Sequence, residues 1–133
     1  MTTSTLPPKS TESPVADAFL AALIRRDFTA MTACLAPEVR LHGLIPPGPF
    51  DALGPAATID RFRGWFGGPD DFAVVDAGHE RRGDKLALHW LVRMRPTHDP
   101  GAARIAEQRA FLTTAQDRIT TIDLLCSGWQ PAG

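Results

Sequence analysis

The strongest constraint on the fold is a pair of apolar segments, residues 105–114 and 118–129, joined by a short polar turn. Before them, every second residue of 86–94 is a large apolar one: Leu86, Leu88, Trp90, Val92 and Met94. Alternation with a period of two is typical of strands with one buried face, and short polar turns join antiparallel neighbours. We therefore predict an antiparallel meander of about four strands, beginning near Phe72.

Helical spacing dominates the first half of the sequence. Ser13 and Pro14 predict a helix start, because serine accepts hydrogen bonds from free backbone N–H groups and proline suits the first helical position. Apolar residues recur at helical spacing up to Leu23, then over residues 28–35 and again over residues 59–66. The pattern predicts three helices.

Between the second and third helices, residues 38–44 alternate as a short strand, and the proline-rich residues 45–49 predict a stiff loop. Helices followed by a meander indicate an α+β fold. We expect a cone, in which a curved, mostly antiparallel sheet wraps around about three N-terminal helices. Such a sheet leaves a concave space that can bind a small molecule.

Length and charge narrow the function classes. The 133 residues suffice for one domain, predicted over residues 14–131 after a disordered Thr/Ser/Pro-rich tail at 1–13. A net charge of −1 argues against nucleic acid as a partner, and no apolar run approaches the roughly 20 residues of a membrane span. Cys34 and Cys126 form no disulfide framework, so the reducing cytoplasm is the expected location. The spacing of histidines, cysteines and acids predicts no metal site.

Several stretches resemble the nuclear-transport-factor-2-like superfamily, and within it the SnoaL-like family, over about residues 14–129. They are Ala18–Leu23, Asp27-Phe28, Leu35–Val39, residues 59–66, Phe111, Asp117–Ile119 and Asp123. Residues 39–48 and 123–129 are also similar to a mostly uncharacterised bacterial subgroup. The resemblance implies the cone fold and a protein without a cofactor. It does not imply one activity, since the superfamily includes steroid isomerases, polyketide cyclases, epoxide hydrolases and non-catalytic modules.

The catalytic residues of the steroid isomerases are not matched. Where those enzymes carry a helix-1 tyrosine, this sequence has Phe19, and it contains no tyrosine at all. Their carboxylate base corresponds to His42 or Gly43, and their protonated aspartate to Arg109. All three differences argue against the isomerase mechanism.

Glu107 and Arg109 are the candidate catalytic pair. Being two residues apart on a strand, they share one face, whereas Gln108 faces the other side. The superfamily register implies that Glu107, Arg109 and Phe111 point into the cone, where the arginine would orient an oxyanion and the glutamate would act as base. The alternatives are an ion pair at the surface or at a dimer interface, with an inward Gln108 as an amide anchor for the ligand.

The remaining candidate residues are expected to line the ligand site. Cys126 is either a nucleophile or, more commonly for cysteine, a buried structural residue. His42 lies beside the predicted loop and is either at a pocket mouth or at the surface. The full substrate-binding set is Phe19, His42, Trp65, Gln108, Phe111, Leu124 and Cys126.

The predicted ligand is a small, largely apolar molecule, and the predicted chemistry is cofactor-free proton transfer, as in an isomerase, a cyclase or a hydrolase. The alternative is a non-catalytic module for ligand binding or dimerisation. Apolar residues on both strand faces, such as Leu91 opposite Trp90, also predict a homodimer through the outer face of the sheet.

Overall fold

The computed structural model describes residues 13–45, 48–68 and 71–131. Its helices are α1 (Pro14–Arg25), α2 (Phe28–Ala33) and α3 (Pro55–Phe66), with a short 3₁₀ helix at Pro100–Ala102. Its strands are β1 (Leu35–Ile45), β2 (Gly48–Leu53), β3 (Asp71–Arg82), β4 (Lys85–Arg95), β5 (Arg104–Ala115), β6 (Arg118–Cys126) and β7 (Gln130–Pro131).

The described strands form one curved sheet in the order β2-β1-β6-β5-β4-β3, with β7 paired to the start of β5. Neighbouring strands are antiparallel except β1 and β6, which run parallel. Helices α1 and α2 pack on one another, and α3 packs on β1. This is the predicted α+β cone, and the prediction of the fold class is confirmed.

The start of α1 is also confirmed. The side chain of Ser13 accepts a hydrogen bond from the backbone N–H of Ala16 at 3.2 Å, and Pro14 occupies the first helical position. Ser13 is therefore part of the helix cap, whereas the prediction assigned it to the tail. Residues 1–12, the rest of that predicted tail, lie outside the described residues.

The N-terminal part of the sheet is larger than predicted. Strand β1 begins at Leu35, three residues earlier than expected, because Leu35 already pairs with Ile119 of β6. The register of this pairing shifts between Leu35 and Arg40. The prediction of a loop over residues 45–49 was wrong for its described residues. Ile45 ends β1, and Gly48–Leu53 is a strand antiparallel to β1. Pro49 is tolerated there because β2 is an edge strand. Proline has no backbone N–H, and on the unpaired side of an edge strand no hydrogen bond to a neighbouring strand is lost.

Aromatic rings fill the space between helices and sheet. Phe19, Phe62, Phe66 and Trp90 are fully buried, and Phe62 lies within 6.3 Å of each of the other three, measured between ring centroids. Edge-to-face and tilted contacts of this kind add stability beyond the burial of area. The interior of the cone is thus a packed aromatic core in this structure.

Candidate functional site

The pairing of β5 with β6 decides which face of residues 105–114 points inward. Directly paired residues share a face, and Gln108, Ala110 and Leu112 pair with Cys126, Leu124 and Ile122. Leu124 and Ile122 belong to the buried core. The inward residue is therefore Gln108, which is 2% exposed.

Gln108 is held in the core by a hydrogen bond from Trp90. The indole N–H of Trp90 donates a hydrogen bond to the Gln108 Oε1 at 2.6 Å. Trp90 is 0% exposed, so both polar groups are removed from water and satisfy each other. An amide can be buried on these terms, whereas an ionised side chain in the same position would cost far more.

The expected inward orientation of Glu107, Arg109 and Phe111 was wrong. Glu107 and Arg109 lie on the outer face with 50% and 60% of their side chains exposed, joined by an ion pair of 3.2 Å between Arg109 Nη2 and Glu107 Oε2. Phe111, half-buried, shares their face. The register was one residue off because both faces of β5 carry apolar neighbours, and the surface ion pair foreseen as the alternative is the observed one.

Glu107, Arg109 and Phe111 nevertheless line a cavity, here called the outer cavity. It has a volume of about 490 Å³ and lies on the outer face of β3, β4 and β5. A volume of roughly 300–1,000 Å³ is typical of small-molecule sites. The side chains of its walls and floor include Asp76, Glu80, Ala87, His89, Leu91, Glu107, Arg109 and Phe111.

His89 is the central polar side chain of the outer cavity. Its Nε2 lies 3.2 Å from Asp76 Oδ2, and it is directly opposite Arg109 in the β4–β5 ladder. Gly78 gives the imidazole room, because a Cβ at Gly78 would lie 2.9 Å from its Cε1. An imidazole oriented by a carboxylate can accept or donate a proton, and a guanidinium beside it can hold an oxyanion.

A second cavity of about 250 Å³ adjoins the outer cavity at Glu107 and Arg109 and extends to Leu125, Cys126 and Ser127. The Cys126 sulfur accepts a hydrogen bond from the Gly128 N–H at 3.3 Å and packs against the core. Glu107 and Arg109 therefore line both cavities.

The other predicted residues are not gathered in one place. Phe19 and Leu124 are buried in the core. His42 lies on the outer face of β1, with its Nδ1 2.8 Å from Asp51 Oδ1. Trp65 is half-buried at the end of α3, where it contacts Phe62 at 5.0 Å between ring centroids.

The sequence alone did not identify Asp76, Ala87, His89 or Leu91 as site residues. Alternation along β4 places Ala87, His89 and Leu91 on one face, which was the available signal. Asp76 meets His89 only through the pairing of β3 with β4, which includes an irregularity after Val74.

The described residues contain no group of three or more metal-ligating side chains. Burial raises the pKa of the Cys34 thiol above its ordinary value, and the nearby charge of Arg118 offsets part of that rise. No helix among the described residues combines the length and the apolar character that crossing a membrane requires.

Comparison with known proteins identifies the family. The model of the SnoaL-like domain family matches residues 16–122. No curated protein gives a significant match.

Three solved structures share the fold at low sequence identity. An NTF2-like protein from Burkholderia xenovorans is 14% identical with a TM-score of 0.63, the alignment covering 85% of this chain and 86% of that one. An LEH-like epoxide hydrolase of M. tuberculosis is 17% identical with a TM-score of 0.59, covering 85% and 80%. A protein with a ketosteroid isomerase-like fold from Catenulispora acidiphila, in complex with trimethylamine, is 14% identical with a TM-score of 0.61, covering 85% of each.

The matched residues 16–122 run from α1 into β6 and span most of the cone. The structural neighbours carry the same arrangement of helices and curved sheet. This chain therefore belongs to the SnoaL-like family of the nuclear-transport-factor-2-like superfamily.

Proposed function

We propose that this SnoaL-like protein binds a small molecule in the outer cavity. One observation carries the proposal: two oriented polar pairs, His89 with Asp76 and Arg109 with Glu107, border the same hollow of about 490 Å³. Leu91 and Phe111 add apolar surface to it. Small-molecule sites combine apolar surface with convergent polar groups that orient the ligand, and the outer cavity offers both, with its polar and charged side chains in the majority.

The ligand that fits is a small molecule with an apolar part and a polar or anionic group. The apolar part would rest on Phe111 and Leu91, and Arg109 would hold the polar group with its fork of N–H donors. This revises the expected ligand, because the interior of the cone is occupied by aromatic rings and the ionisable groups are outside it. No cofactor is part of the proposal, and the cytoplasm is the proposed location.

The test is a screen of small aromatic acids, amides and amines by two-dimensional NMR, followed by titration of the binders into variants. Arg109→Met should weaken binding more than tenfold without changing the fold. Arg93→Met is the matched control, since Arg93 is exposed on β4 but lies outside the outer cavity. Binders whose affinity is insensitive to Arg109→Met would contradict the proposal.

The enzymatic form of the proposal adds proton transfer in the same cavity. The observation that favours it is the carboxylate-oriented imidazole of His89 beside Arg109, with Glu107 as a second group able to accept a proton. Isomerisation, cyclisation or water addition needs such groups and no cofactor. A bound ligand that is converted by the wild-type protein but not by His89→Gln would support it; conversion at equal rates by both would contradict it.

A second candidate function is homodimerisation through the outer face of the sheet. It is favoured by three exposed leucines on that face, Leu44 at 47%, Leu53 at 71% and Leu125 at 45%. Leu44 and Leu125 are direct neighbours across β1 and β6. Adjacent exposed apolar residues are typical of interaction surfaces.

Light scattering tests the dimer directly, since it should give twice the 14.4 kDa of one chain. Leu125→Glu should return the mass to one chain. Ile24→Glu, which places the same charge on an exposed residue of α1, should leave the dimer intact. A wild-type mass of 14.4 kDa at micromolar concentration would rule this function out.

A further inference from the structure

The charged side chains of the outer cavity are divided between its two sides. Strand β3 contributes Asp76 and Glu80 on one side, and β5 contributes Glu107 and Arg109 on the other. Arg82 of β3 completes the set, so the described lining residues carry three carboxylates and two guanidiniums. With its histidines neutral, the cavity has an excess of one negative charge. Such an excess disfavours a ligand whose only charge is negative.

One of the three carboxylates has no cationic partner. Both guanidiniums form ion pairs with carboxylates of their own strands, and the carboxylate left over is that of Asp76. Its Oδ2 lies 3.2 Å from Nε2 of His89, and its Oδ1 has no partner among the described residues. The side chain of Asp76 is 68% exposed. It can therefore accept a charge-assisted hydrogen bond from an ammonium group of a ligand.

Arg109, on the opposite side, keeps donors for an anionic group. Its contact with Glu107 joins only Nη2 to Oε2, at 3.2 Å. A guanidinium has five N–H donors in a planar fork, so most of them remain for a carboxylate of the ligand. Asp76 and Arg109 thus offer opposite charges from the two sides of one cavity.

The floor between the two sides is formed by β4. Strands β3 and β5 both pair with β4, so their backbones lie two strand spacings, or about 10 Å, apart. Leu91 of β4 pairs directly with Asp76. His89 leans towards β3, because a Cβ at Gly78 would lie 2.9 Å from its Cε1. The apolar body of a ligand can therefore rest on Leu91 with one end at each side of the cavity.

We infer that the ligand of the outer cavity is a zwitterion whose two charges stand at opposite ends of an apolar body. Its ammonium group binds Asp76, and its carboxylate binds Arg109. This inference rests on the proposed function, which places a small molecule in the cavity, and it adds the chemical class of that molecule. A ligand with only a cation leaves Arg109 unused, and one with only an anion meets the excess of negative charge.

The experiment compares three ligands built on one benzene ring. Para-(aminomethyl)benzoate carries both charged groups, benzylamine only the ammonium, and benzoate only the carboxylate. Dissociation constants are measured by NMR titration of the full chain at about pH 8, where histidine is ordinarily neutral. The zwitterion should bind at least tenfold more tightly than either of the other two. The inference is overturned if a singly charged ligand binds as tightly as the zwitterion, or if none of the three binds.

Two variants connect each charge of the ligand to its partner. Asp76→Asn should weaken binding of the zwitterion at least tenfold while binding of benzoate becomes no weaker. Arg109→Met should weaken the zwitterion similarly and leave benzylamine unchanged. Asp71→Asn is the matched control, since Asp71 is an exposed carboxylate of β3 outside the outer cavity. Equal effects of Asp71→Asn and Asp76→Asn would show a general effect of charge and overturn the inference.

The outcomes separate this inference from the proposed function. If binders from the screen depend on Arg109 but Asp76→Asn leaves binding of the zwitterion unchanged, the cavity binds small molecules and the zwitterionic class is wrong. If Arg109→Met affects no binder at all, the proposed function fails and the inference fails with it.

Discussion

Gln108→Leu is the substitution that most directly tests how the sheet is oriented. Gln108 is 2% exposed and its Oε1 is bound to the Trp90 N–H at 2.6 Å. Leucine has nearly the same size but no acceptor, so the indole N–H would stay buried without a partner. Leaving a buried donor unsatisfied costs about 1–3 kcal/mol.

That cost translates into a measurable shift of the melting temperature. At about 2.1 cal/mol/K per residue, a domain of this size has an unfolding entropy of about 0.25 kcal/mol/K. A loss of about 1–3 kcal/mol therefore lowers the Tm by about 4–12 °C. Urea unfolding should show a lower midpoint with an unchanged slope, because the surface exposed on unfolding stays the same.

Arg109→Met is the matched control, one residue further along the same strand. Its side chain is 60% exposed and paired only with Glu107 in the described structure, and exposed pairs contribute about 0–1 kcal/mol. The Tm should therefore fall by less than about 4 °C. If Arg109→Met destabilises the protein more than Gln108→Leu does, the orientation described for β5 is wrong.

Three further predictions concern a helix cap, a turn and the thiols. A chain starting at Pro14 should be less stable in urea than one starting at Ser13 by about 0.5–2 kcal/mol, because it lacks the cap of α1; equal stability would contradict the capping role. Replacing Gln116-Asp117 by Asn-Gly should raise the Tm, because both residues have positive φ, 54° and 64°, which that pair adopts readily. A thiol reagent at neutral pH should label Cys34 more slowly than Cys126, because burial raises the Cys34 pKa and less thiolate is present; mass spectrometry that finds the reverse order would refute this.

The parts of the fold that could be predicted from sequence are those in which a period is strong. Helix α1 has both a capping signal at Ser13-Pro14 and an apolar face, and β4 alternates with every second residue buried from Leu86 to Met94. Strand β2 could not be predicted because Pro49 and the prolines before it favour a loop. Only its pairing with β1 makes it a strand.

The orientation of β5 shows why the candidate site was harder to predict than the fold. Both faces of residues 105–114 mix apolar and polar side chains, so alternation alone left two choices. The difference between two charges on one face and one amide on the other would have decided between them, since an exposed ion pair costs little and a buried one is costly. The partner that makes a buried Gln108 acceptable, Trp90, lies in another strand and is identified only by the register of the sheet.

The parallel pairing of β1 with β6 has a consequence for how the protein is made in the cell. Strand β6 is the only described link between β2-β1 and β5-β4-β3, and its partners in β1 were synthesised about 80 residues earlier. A nascent chain that has not yet released residues 118–126 from the ribosome would hold two separate half-sheets. Each would present an unpaired strand edge whose free backbone groups can pair with other chains. Release of this one strand therefore sets the moment at which the sheet can close.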